Sequence, residues 1–175
     1  MERVRHVVLF CDISGFMRLS GSLGGGTPGF VQAFYEVVGD AVVERGGTLI
    51  KYLGDAVLSV FPEGRETDAV RCAIRMRQDF ATLVRTNVPG DAARLEIAIN
   101  AGEVVRGTFG HASLRTKDIM GEVVANAAVL NRVPGIVVSE AVKDALGAAF
   151  RTKELSPLPV KWGAKPITAW QIIEE

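Results

Sequence analysis

At 175 residues the chain has the length of one domain and is long enough to bury a core. Its 20 basic and 20 acidic residues cancel, so no net field favours a nucleic acid or an acidic membrane as partner. No apolar run reaches the roughly 20 residues of a membrane span, and the first residues lack signal-peptide order. Cys11 and Cys72 lie in apolar runs without metal-ligand spacing, which predicts buried reduced thiols in a cytoplasmic protein.

Residues 4–11 read as a strand, with Val7-Val8-Leu9-Phe10 as its buried run. Asp12 follows at the strand end, where a carboxylate is well placed to hold a divalent cation. The turn and helix start after Ser14-Gly15 offer free backbone N–H groups to phosphate. Residues 21–29 (GSLGGGTPG) read as a flexible loop, and without a following Gly-Lys-Ser/Thr they are not a Walker loop. Thr27-Pro28 reads as an N-cap and first helical residue. The helix behind it carries Phe30, Phe34, Val37, Val38 and Ala41 at helical spacing and ends at Gly46.

Two apolar runs, 49–53 and 57–61, flank Gly54-Asp55 and read as a hairpin. Its turn lifts Asp55 clear of the sheet, toward a ligand. Lys51 lies inside the first run, so its ammonium must reach water or a partner. Residues 67–84 form a second amphipathic helix and 87–91 a turn. Residues 95–100 alternate as a half-buried strand does. Gly102 reads as a break, with 103–109 as the neighbouring strand and 110–117 as a polar connection. Asp118-Ile119-Met120-Gly121 leads into a short helix over 122–131. A strand over 136–138, an N-cap at Ser139 and a helix over 140–146 come next. Two final strands are expected near 158–161 and 168–173, with Gly163, Lys165 and Pro166 between them and Trp162 and Trp170 packing them. The order β-α-β-β-α-β is the ferredoxin-like arrangement. It predicts an α+β fold, an antiparallel sheet with helices packed on one face and a further α/β extension.

Here the sequence resembles the catalytic domain of class III nucleotidyl cyclases, the adenylate and guanylate cyclases. The resemblance rests on Phe10-Cys11-Asp12-Ile13-Ser14-Gly15-Phe16, on Gly46-Gly47-Thr48, on Lys51-Tyr52-Leu53-Gly54-Asp55 and on Phe61. It continues through Ile97-Ala98-Ile99-Asn100-Ala101-Gly102-Glu103-Val104, Asp118-Ile119-Met120-Gly121 and Ala127-Ala128. It covers nearly the whole chain and makes residues 1–175 a single cyclase homology domain.

The resemblance implies a head-to-tail homodimer with an active site between the protomers. It implies ATP as substrate, two divalent cations (Mg2+ or Mn2+) as cofactors, and 3′,5′-cyclic AMP and pyrophosphate as products. Asp12 and Asp55 match the metal-bridging catalytic carboxylates, and the Ile13 carbonyl an added metal ligand. The N–H groups of Ser14, Gly15, Phe16 and Met17 would receive the β- and γ-phosphates. Lys51 matches the adenine-contacting lysine and Asp118 the purine-specifying acid. An aspartate accepts from the adenine amino group and a lysine donates to ring N1, while guanine reverses these edges. Either Lys161 or Lys165 matches the lysine that contacts phosphate.

The chain departs from the family pattern on the helix after Asp118. The positions of the asparagine that orients the ribose and the arginine that steadies the transferring phosphoryl group hold Ala125 and Val129. Asn126 is adjacent but about 100° around the helix, and Asn131 and Arg132 lie at the helix end. Glu103 stands where some members have a basic phosphate contact. Two readings stay open: an adenylate cyclase of low intrinsic activity, or a catalytically silent homologue that serves as an ATP-binding or dimerisation module in signalling.

Overall fold

A computed structural model describes residues 1–161 and 165–174. Its centre is β1 (Glu2–Ser14), which β3 (Ala56–Pro62) and β4 (Arg94–His111) flank antiparallel on either side. β2 (Thr48–Leu53) completes the hairpin with β3 and forms one edge of the sheet. The sheet runs β2-β3-β1-β4 and then, through the extension, β6 (Ile136–Ser139), β8 (Ala169–Ile172) and β7 (Thr152–Glu154). The first four positions are the ferredoxin-like order. The β4–β6 pair is parallel.

Period-two alternation sorts β1 into two faces. Val7, Leu9, Cys11 and Ile13 are buried in a core with residues of α2 (Thr27–Glu44), α3 (Glu66–Asn87) and α5 (Glu140–Leu146). Val8 and Phe10 pack on the other face, against Val123, Val124 and Ala127 of α4 (Glu122–Leu130). The expectation of helices on one face therefore needs an exception: α4 lies on the opposite side from the rest. Both cysteines are free and buried, and burial raises both thiols, Cys72 to about 12.

Other expectations shift. β1 continues to Ser14, so Asp12 sits within the strand, still paired with Ala56 and Glu96. Residues 21–29 are helical rather than a loop: α1 (Phe16–Leu23) passes through a 3-10 turn (Gly24–Gly26) straight into α2. Buried Leu19 and Phe30 anchor the two helices, and the Thr27 hydroxyl donates to the Gly24 carbonyl at 2.8 Å. Helix α2 is capped by Gly26, one residue ahead of the expected Thr27.

Gly102 does not break β4, which pairs with β1 straight through it in the register His6↔Gly102. A Cβ there would lie 2.7 Å from a Val123 methyl, so the glycine makes room for α4. Residues 110–117 are no loose connection either: β5 (Leu114–Met120) folds back on β4 as an antiparallel strand. Near the C-terminus, β7 and β8 form the paired strands, and Leu158 makes only an isolated bridge to Ile167. The positions proposed for Trp162 and Gly163 lie outside the described residues. Among the described residues no helix is long and apolar enough to cross a membrane.

Candidate active site

The hairpin turn is carried to the end of β1 by strand register. Asp12 pairs with Ala56, and the Ile13 N–H donates to the Asp55 carbonyl at 3.1 Å. Gly54 takes φ +69°, a left-handed turn conformation that glycine adopts at little cost. Asp12, near the end of β1, and Asp55, in the adjoining hairpin turn, are thus brought together, both half-buried. Burial holds the Asp12 carboxyl above the usual carboxylate range. The Asn131 amide opposes that shift, and the charges of Asp55 and Glu96 add to it. Among the described residues neither Asp12 nor Asp55 has an ion-pair partner.

Two neighbours of Asp12 come from distant parts of the chain. Asn131, just past α4, is 5% exposed, pulls the Asp12 carboxyl down against the effect of burial, and leaves its own Oδ1 buried without a partner. Glu96 is the residue directly opposite Asp12 on β4, buried and accepting from the Gly135 N–H. Like charges so placed repel. Nothing local marks Glu96 in the sequence, because the pairing exists only once β4 lies against β1.

The donors suit a hard cation. Two carboxylates are what Mg2+ commonly takes from protein when phosphate oxygens and water complete its shell. In an extended strand a residue's N–H and C=O face the same edge, so the Ile13 carbonyl also looks toward the hairpin. Among the described residues no group of three or more His, Cys, Asp or Glu side chains gathers to enclose an ion. The set is open, with positions left for ligand oxygens. Next to it, exposed Ser14 and Gly15 precede α1. The first intrahelical bond there is Leu19 N–H to the Gly15 carbonyl, so the N–H groups of Phe16, Met17 and Arg18 lead the helix without intrahelical acceptors.

Farther along the hairpin, Lys51, which needed either water or a partner, has a partner. Its Nζ lies 2.7 Å from Asp118 Oδ2, across from β2 to β5, and Asp118 Oδ1 accepts the Ile119 N–H at 2.8 Å. A groove of about 460 Å³ opens beside this pair, lined in part by Thr48, Ile50, Arg106, Thr108 and Asp118.

The sequence matches the family of adenylate and guanylate cyclase catalytic domains over residues 1–174. The chain belongs to that family. It is 30% identical over 142 residues to an adenylate cyclase of Anabaena cylindrica, which takes in 75% of this chain and 27% of that one. It is 19% identical over 157 residues to a terminal-differentiation adenylate cyclase of Dictyostelium discoideum, across 83% of this chain and 7% of that one. The domain thus spans well under a third of the length of these curated relatives. Its fold is that of the adenylyl cyclase CyaB from P. aeruginosa, with TM-score 0.90 and 23% identity over 99% of this chain and 96% of the other. The guanylyl cyclase Cya2 is also similar, with TM-score 0.85 and 21% identity over 98% and 92%.

In this cyclase domain the departures have definite places. Ala125 is exposed on α4 and Val129 is buried, and neither side chain carries a donor. Asn126 is half-buried, its Oδ1 enclosed without a partner. Of the two candidates at the helix end, Asn131 is buried and influences the Asp12 carboxyl, and Arg132 is exposed. Glu103 spends its charge on Arg3, at 2.6 Å, on the surface of β4. Lys161 and Lys165 are both exposed on the connection between Leu158 and Ile167.

Proposed function

We propose that this domain converts ATP to 3′,5′-cyclic AMP and pyrophosphate at the interface of a head-to-tail homodimer. The observation that carries the reading is the pair Asp12 and Asp55, brought together by strand register and, among the described residues, without an ion-pair partner. Two divalent cations, Mg2+ or Mn2+, held by Asp12, Asp55 and the Ile13 carbonyl, would neutralise the triphosphate and favour attack by the ribose 3′-hydroxyl on the α-phosphorus. Asp12 and Asp55 hold that charge in place. The N–H groups at the start of α1, with Ser14, Gly15 and Phe16, receive the β- and γ-phosphates. Lys51 and Asp118 of the partner protomer read the adenine edge, and its Lys161 or Lys165 contacts phosphate. Ala125 and Val129 supply no ribose or phosphoryl contact. One lost electrostatic contact typically costs about 10²–10³ in rate, so the intrinsic turnover is low.

The same two residues favour a second reading, a silent homologue that binds ATP and dimerises without chemistry. Cyclic AMP formation from ATP with Mn2+, measured over a range of protein concentration beside Asp12→Ala, separates the two. The expected result is a slow, Asp12-dependent rate that rises faster than linearly at low concentration. Turnover unchanged in Asp12→Ala sinks the catalytic reading. The double variant Ala125→Asn, Val129→Arg is expected to gain about 10²-fold or more. No gain in a protein that still binds ATP supports the silent module.

A further inference from the structure

We infer that Tyr35 is a positioning residue for the Asp55 carboxylate, acting through the backbone of the hairpin turn; this rests on the two-carboxylate reading above. The Tyr35 hydroxyl, on α2, donates to the Gly54 carbonyl at 2.6 Å. That carbonyl shares a peptide plane with the Asp55 N–H. On the other side, the Asp55 carbonyl accepts the Ile13 N–H at 3.1 Å, which ties the plane between Asp55 and Ala56. The two planes that meet at the Asp55 Cα are therefore each held from outside the turn, one by α2 and one by β1. Fixing both planes fixes the two soft dihedrals of Asp55, and with them the direction in which its side chain leaves the backbone. Gly54, at φ +69°, has the widest conformational freedom in the turn, so the tie falls where the backbone is softest.

The phenol is itself held in place. Tyr52 of β2 lies against it at 4.2 Å between ring centroids, and Phe34 flanks it at 5.6 Å. These contacts set the ring, and the hydroxyl adds one bond to the turn. Tyr35→Phe keeps the ring contacts and removes that bond alone. A ring that merely packed α2 against β2 would leave metal affinity untouched by this change. A hydroxyl that aims Asp55 would not.

The test uses the full chain and three measurements. Mn2+ binding is followed by the loss of the free-ion electron paramagnetic resonance signal, in the presence of a non-hydrolysable ATP analogue. Amide hydrogen exchange reads the turn, and the melting temperature without metal reads the fold. In Tyr35→Phe, Mn2+ affinity is expected to fall about three- to tenfold, the range one hydrogen bond is worth. The Asp55 and Ile13 amides are expected to exchange faster, and the melting temperature to move by less than about 3 °C. Tyr35→Leu, which also removes the stack, is expected to lose more affinity and more stability. Unchanged Mn2+ affinity in Tyr35→Phe overturns the inference. So does a loss accompanied by a melting-temperature fall beyond about 5 °C, which marks damage to the fold. Mn2+ binding that survives Asp12→Ala instead sinks the two-carboxylate reading, and the inference with it. Binding that Asp12→Ala abolishes and Tyr35→Phe leaves alone sinks the inference only.

Discussion

Asp55 and Lys51 belong to one hairpin, yet they meet opposite electrostatic conditions. At the turn, Asp55, Asp12 and Glu96 collect like charge, and among the described residues Asp12 and Asp55 have no ion-pair partner. Within the strand, Lys51 is neutralised by Asp118 at 2.7 Å. The first arrangement is uncompensated by itself, and under the proposed function a cation would complete it. The second is complete as it stands, so a base that binds there must compete with an existing pair. Under the proposed function one end of the hairpin handles charge and the other selects the base.

The sharpest way to break this contrast is to discharge the turn. Asp55→Ala is expected to lower Mn2+-dependent turnover by about 10²–10³ or more, and excess Mn2+ should restore little of it. A rate within about threefold of the parent would mean that the turn does not handle charge. A smaller effect is expected at the paired end. Asp118→Asn offers the base a donor as well as an acceptor and leaves Lys51 unpaired. The ratio of ATP to GTP affinity should fall about tenfold, the worth of one charge-assisted hydrogen bond, with the metal requirement unchanged. An unchanged ratio would show that the pair is a structural bridge only.

The smallest effect distinguishes the ends without any ligand. The native Asp12 carboxyl is held up by burial, with Asp55 and Glu96 adding to the shift, so the folded state binds that proton more tightly than the unfolded chain does. Stability from this group is present below the unfolded carboxyl value and is lost as pH rises toward the native one. Asp12→Asn is therefore expected to raise the melting temperature at neutral pH by about 1–3 °C while abolishing metal binding. The gain should shrink in acid, where the aspartate is already neutral. A destabilised Asp12→Asn protein would mean that the carboxylate is better compensated than its surroundings imply.

Much of this was legible in the chain itself. Two apolar runs around Gly54-Asp55 located the hairpin, and Lys51 in an apolar strand needed water or a partner, of which the structure shows the partner, Asp118. The βαββαβ order foretold the four central strands. What escaped detection depended on packing between distant segments. Gly102 looks like a strand break in one dimension and is a clearance for Val123 in three. The residues of β5 are mostly exposed, so no apolar alternation announced that strand. The glycines of 24–26 suggested a loop, but buried Leu19 and Phe30 on either side commit them to a helical turn. Of the neighbours of the two carboxylates, Asn131 was noticed only as a residue at the end of a helix, and Glu96 and Tyr35 carry no local signature at all. Each acquires its role only when α4, β4 or α2 is docked.

The central place of β1 has a bearing on how the chain is made. Both strands that pair with it, β3 and β4, are encoded after it, and β4 meets it along nearly its whole length, from Glu2↔Arg106 to Ser14↔Arg94. A ribosome adding about 5–20 residues per second therefore releases the apolar run Val7–Phe10 well before its second edge can be covered. For some seconds the central strand of the finished molecule lies open on both edges to any other strand. Slowing elongation between β3 and β4 would lengthen that interval and favour aggregation, and a chaperone that shields β1 until His111 has emerged would favour yield.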